Sequence, residues 1–158
     1  MYSHLLVPVD GSAGAEAALP HVRALAEKFG SRITIMRVTV APETVIAETS
    51  SGGTGAPDAA PLIDPMPLVE AEQDEATSYL DHLAETLRGA GLQVTTEAPE
   101  GSPAHKIVDR ARELGADLIV MSTHARGGFG RLVFGSVGDS VLRHASCPVL
   151  LIRVHTRD

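Results

Sequence analysis

Apolar positions change their period several times along the chain, and each change marks an element. The run HLLVPV, residues 4–9, reads as a short buried strand ending at Asp10 and Gly11. Behind it Leu19, Val22, Ala26 and Phe29 recur at spacings of three and four, which predicts a helix closed by Gly30. Pro20 falls inside that pattern, where a missing N–H predicts a bend. RITIMRVTV, residues 32–40, alternates and is rich in β-branched residues, so a second strand follows. Helical spacing resumes near Pro67 and runs to Gly89, with Ala76, Leu80, Leu83 and Leu87 on one face and acidic residues enriched before it and in its first turns.

LQVTTEA, residues 92–98, reads as the third strand. Ser102 and Pro103 then form a cap and first-position pair for a helix whose stripe is Ile107, Val108, Ala111 and Leu114 and whose end is Gly115. The apolar run DLIVMS, residues 117–122, calls for burial on both faces. SVGDSVLRHA, residues 136–145, predicts a short helix, and CPVLLIRV, residues 147–154, a last strand. Five strands alternating with four helical segments predict an α/β fold with a mostly parallel, open sheet.

A length of 158 residues fits one domain over 1–158 with a core of its own. Residues 41–66 carry Pro42, Pro57, Pro61 and Pro65 and the run SSGGTG, which suit neither helix nor strand, so a flexible Pro/Gly-rich insertion is expected there. Its composition does not choose between a lid and a disordered connection. Pro148 favours an edge for the last strand. An edge carrying Val149, Leu150, Leu151 and Ile152 needs a cover, and a homodimer contact through 147–154 is the economical one.

Charge and composition narrow the partners. Only 3% of residues are aromatic and the formal charge is -7, which argues against binding nucleic-acid polymers but leaves room for a small anion held by local dipoles. Cys147 is the sole cysteine, which excludes an intramolecular disulfide and a cysteine-based zinc cluster and suits a cytoplasmic, reducing setting. The N-terminal sequence has no basic region before an apolar stretch, and no run reaches about 18 apolar residues, so neither a signal peptide nor a membrane partner is expected.

The candidate chemistry lies in STHARGGFGRLVFGS, residues 122–136. It holds no GxxxxGK[ST], and Gly127, Gly128, Gly130 and Gly135 do not fit GxGxxG, so neither a Walker-type nor a dinucleotide-binding site is supported. A loop that leaves a buried strand, carries Arg126 and Arg131 and enters a helix at Gly135 and Ser136 favours an anion at that N-terminus. The same residues also suit a plain connection, in which Ser136 caps the helix and the glycines permit turns. Of seven histidines none stands at HxxxH spacing and no GxSxG is present, so no catalytic residue is assigned. His124 alone, expected inside the loop, is a credible ligand contact.

HLLVPVDGS near the start, then DLIVMSTHARGG and GSVGDSVLRHASCPVLLI near the end, resemble the universal stress protein family in order and spacing. The resemblance covers the chain except residues 41–66. It implies a Rossmann-like sheet of order 3-2-1-4-5 with helices on both faces, and a dimeric stress-response module binding ATP or another adenine nucleotide (AMP or ADP), with Mg or Mn bridging the phosphates. It further implies that Pro8, Val9 and Asp10 border the adenosine, with Asp10 accepting from ribose hydroxyls. Asp10 beside Gly11 serves equally well as a turn residue. Val38 would offer backbone groups to adenine. Met121, Ser122, His124 and Ala125 would line the ribose and phosphate side, and Gly135, Ser136 and Val137 would hold phosphates. Nucleotide-binding members carry GxxG, nine residues, then G with Ser or Thr. Here Ser122 and Ala125 replace the first two glycines, while Gly135 and Ser136 keep the rest. Where glycine at 122 serves a positive φ, serine costs about 1 kcal/mol or more, and at 125 an alanine Cβ intrudes on phosphate. Arg126 with Gly127 and Gly128 supplies a substitute nest of N–H groups and charge. A slow ATPase or autophosphorylating enzyme using His124 or Ser136, and a nucleotide-free scaffold, are the alternatives.

Overall fold

The computed structural model describes residues 1–39, 41, 64, 66–124 and 135–154. Nine elements follow in order among them: β1 (His4–Pro8), α1 (Leu19–Phe29), β2 (Arg32–Met36), α2 (Met66–Arg88), β3 (Val94–Glu97), α3 (Pro103–Glu113), β4 (Leu118–His124), α4 (Gly135–His144) and β5 (Val149–Val154). The strands form one sheet of order β3-β2-β1-β4-β5, and every pairing is parallel. The predicted fold class and strand order therefore hold.

Alternation along the central strands splits the core in two. Leu5, Val7, Ile33, Ile35, Leu118 and Val120 join Val22 and Ala26 of α1 and Leu80, Leu83 and Leu87 of α2. Leu6, Met36, Ile119 and Met121 turn the other way, onto Ile107, Val108 and Ala111 of α3 and Val141 of α4. Covering both faces is what makes LIVM continuously apolar, since burying each such side chain contributes roughly 1.5–3 kcal/mol.

Local differences from the expectations have simple causes. Pro20 lies in the first turn of α1 rather than in its interior, because the preceding residues Ala15–Ala18 form a separate 3-10 turn. There its missing N–H would lack a helical partner anyway, so the expected bend gives way to a helix start. α2 carries no acidic residue in its first turn, Glu70 being the first within it. β4 runs two residues past Ser122, in register with β5 from Ile119 opposite Val149 to His124 opposite Val154. His124, expected in a loop, is thus the last strand residue. β2 and β3 are shorter than expected, although Thr39 still bridges Glu100 beyond them. Apart from Ala41, Asp64 and Met66, the segment 41–66 lies outside the described residues, so neither reading of it is addressed. No described helix is long and apolar enough to cross a membrane.

Candidate functional site

In a parallel sheet all carboxyl ends lie on one side, and the order places β1 beside β4, where the connections part in opposite directions. A crevice is expected at such a switch point. One of about 690 Å³ opens there, a volume within the range of small-molecule sites. Its floor and walls are apolar, from Val9 after β1, Met36 at the end of β2, Val38 just beyond it, Ile107 of α3 and Met121 of β4. Polar groups enter from two directions.

From one side comes the turn after β1. Ser12 donates to Asp10 Oδ1 twice, through its N–H at 2.9 Å and its hydroxyl at 2.6 Å, and the Ala15 N–H donates to Ser12 Oγ at 3.1 Å. This winding needs φ +83° at Gly11, a conformation that glycine adopts without steric cost. Asp10 thus shapes the turn and also lines the crevice. Arg37 flanks the turn, with Nη1 and Nη2 donating to the two Glu75 carboxylate oxygens at 3.1 and 3.3 Å. Tyr79, whose ring lies under that guanidinium, donates to Glu16 Oε1 at 3.1 Å; burial and the Glu16 carboxylate push its phenol well above the ordinary range.

From the other side comes α4. Gly135 adopts φ +71°, and Gly135, Ser136, Val137 and Gly138 line the crevice. The first N–H groups of a ten-residue helix have no partners within it, so this end carries partial positive charge toward the cavity. α3 also starts here, with Pro103 on the wall. Ser102 holds its cap position without a side-chain cap bond, and its hydroxyl pairs with the His105 ring at 3.2 Å. The arrangement joins hydrogen-bond donors for an anion, an apolar slot, and a carboxylate able to accept from hydroxyls.

Of the residues singled out from sequence, Pro8, Val9, Asp10, Val38, Met121, Ser122, Gly135, Ser136 and Val137 all line this crevice. His124 ends β4. Ala125, Arg126 and Gly128 lie outside the described residues. Sequence reasoning missed Arg37, Ser12 and Glu72. Arg37 directly precedes Val38 and Ser12 follows the Asp10–Gly11 turn, so neighbourhood was a usable signal for both. Glu72 comes from α2, and nothing in its local pattern points to the crevice. Among the described residues no group of three or more His, Cys, Asp or Glu side chains is placed to hold a metal ion.

The model of the universal stress protein family matches residues 1–153. The universal stress protein MJ0531 of Methanocaldococcus jannaschii is 33% identical over 154 residues, covering 97% of this chain and 83% of that protein. The solved structure of protein MJ0577, from the same organism, superposes with a TM-score of 0.78 at 25% identity, covering 99% of both chains. A universal stress protein of Archaeoglobus fulgidus, solved in complex with dAMP, has a TM-score of 0.62 at 24% identity, covering 96% of this chain and 98% of that one.

Proposed function

The chain belongs to the universal stress protein family, and we propose that its crevice binds ATP or a related adenine nucleotide, with occupancy rather than turnover as the functional variable. One observation carries the reading: an apolar slot lies between the N-terminus of α4 and the Asp10 turn at the switch point of the sheet. Phosphate suits the helix end, a purine suits Val9, Val38 and Met121, and ribose hydroxyls suit Asp10. The A. fulgidus relative, which holds dAMP, supports the ligand class. Ala125, Arg126 and Gly128 belong to the proposed site on sequence grounds, and Mg or Mn bound with the nucleotide would neutralise phosphate charge.

The replaced motif glycines favour a second reading, a nucleotide-free scaffold. Ser122 weakens that objection, because it sits in regular β4 register opposite Ile152 and is not among the described residues with positive φ. The strain expected of a serine at that position does not arise. Denaturing the purified protein and testing the supernatant for adenine absorbance and nucleotide mass separates the readings. Released nucleotide, or a rise in melting temperature with added ATP, is the expected result; an empty supernatant with no thermal shift favours the scaffold. Labelled ATP turned over by the protein, and no longer turned over after His124→Ala or Ser136→Ala, would replace occupancy by enzymatic action. A homodimer through the β5 edge, in a cytoplasmic setting, completes the proposal.

A further inference from the structure

Arg37 follows β2, is held by two residues of α2 and lies beside a third residue, Gly11. Glu75 accepts from both terminal nitrogens, and the Tyr79 ring centroid lies 5.7 Å from Cζ. On the third side a Cβ built on Gly11 would stand 3.1 Å from Nη1, 3.2 Å from Cζ and 3.6 Å from Nη2. Similar distances to three atoms of one plane mean that the guanidinium lies across Gly11. Only 14% of the side chain is exposed, and it lines the crevice.

Gly11 is the middle of the turn that aims Asp10. With φ +83° and no side chain, it holds a conformation that other residues adopt only with strain. A planar fork anchored bidentately has little freedom left, so it makes a rigid backstop. α2 grips the same loop further on, through Tyr79 and Glu16. We propose that Arg37 is a positioning residue for sugar recognition: by bracing Gly11 against α2 it holds the Asp10 carboxylate where ribose hydroxyls are read, and so sets a preference for ribonucleotides over deoxyribonucleotides. The proposal rests on the adenine-nucleotide reading and adds the control of sugar selectivity to it. A hydroxyl–carboxylate bond is charge-assisted and depends on a fixed acceptor, whereas the apolar slot and the helix N-terminus act on base and phosphate alike in both sugars. Loosening the turn should therefore reduce the sugar preference and spare the remaining affinity.

Calorimetric titration of the full chain with ATP, 2′-deoxy-ATP and 3′-deoxy-ATP tests this in the parent protein and in Arg37→Gln, Arg37→Lys and Glu75→Gln. The parent should prefer ATP over at least one deoxy analogue by about tenfold, the worth of one charge-assisted hydrogen bond. Arg37→Gln should cut that ratio to about twofold. Lysine keeps the charge but not the flat fork, so Arg37→Lys should not restore the ratio. Glu75, 67% exposed, anchors the fork from the surface, and Glu75→Gln should give an intermediate ratio even where Arg37→Gln fails to fold. An equal loss for ATP and both analogues, or a ratio restored by lysine, overturns the positioning role and leaves the nucleotide reading standing. A parent protein that binds ATP without sugar preference overturns it as well. A parent protein that binds no ATP removes both.

Discussion

His4 stands at the amino end of β1, 5% exposed, at the opposite end of that strand from the crevice. Its Nδ1 faces the Leu114 carbonyl at 3.2 Å and its Nε2 the Thr34 hydroxyl at 2.8 Å, and Thr34 continues to Thr95 at 3.0 Å. One neutral tautomer satisfies the set: Nδ1–H donates to the carbonyl and Nε2 accepts from Thr34. Burial, then the Arg32 charge, hold the ring below the ordinary 6.5, against the opposing Leu114 carbonyl and the Asp117 and Glu97 carboxylates. The unfolded chain thus takes up a proton near pH 6.5 while the folded chain resists it. His4 therefore contributes stability that is full above about 6.5 and is lost as the pH falls through the lower folded value. Urea midpoints measured at pH 7.5 and pH 5 should show a fall for the parent protein that is smaller in His4→Gln; equal falls would remove His4 as the cause. The sequence shows His4 only as the first residue of an apolar run. Its partners come from Leu114, 110 positions away, and from two other strands, so its burial was not legible locally.

At the scale of elements, the helix stripes were legible because burial on one face writes itself into spacing: Ala76, Leu80, Leu83 and Leu87 are all buried in α2. The ends were less so. β4 extends to His124 because β5 pairs with it that far, and Pro20 became a helix start because a tighter turn absorbed the residues before it. The first of these causes lies in a strand 30 residues away, as His124 opposite Val154 shows. The crevice walls depend on one more contact of this kind. Gln73 of α2 accepts the Thr39 hydroxyl at 2.9 Å and donates to the Ala98 carbonyl at 2.9 Å, tying the helix to the chain beyond β2 and β3. Thr39 also receives the Gly101 N–H at 3.0 Å, just before Ser102 and Pro103 open α3, and it is 2% exposed. Gln73→Leu should cost about 1–3 kcal/mol, since it strands a buried hydroxyl and loosens a carbonyl. Thr39→Val removes the same hydroxyl, so the double variant should be less destabilised than the sum of the two, by about 1 kcal/mol in urea unfolding. Full additivity would mean that the two side chains do not act as one clasp.

For the whole molecule, the alternation of strands and helices made the fold class legible, whereas the strand order needed the family resemblance, because periodicity says nothing about which strands are neighbours. The order matters most for β5, which it leaves at an edge with β4 on one side and, among the described residues, nothing on the other. Leu150 and Ile152 lean on one half of the core and Val149 and Leu151 on the other, yet all four stay only half-buried. A long apolar edge of this kind templates pairing with another chain unless something covers it, and a second copy offers the same edge with two-fold symmetry. Leu150→Lys tests the homodimer directly. Its aliphatic stem can still lie on the core while the ammonium reaches solvent, so the fold should persist, monitored by an unchanged far-ultraviolet circular dichroism spectrum. A charge repeated across the two-fold should then separate the copies, and sedimentation velocity should shift from a dimer in the parent protein to a monomer in the variant. A monomeric parent, or a variant that sediments unchanged, would leave the β5 edge without this partner.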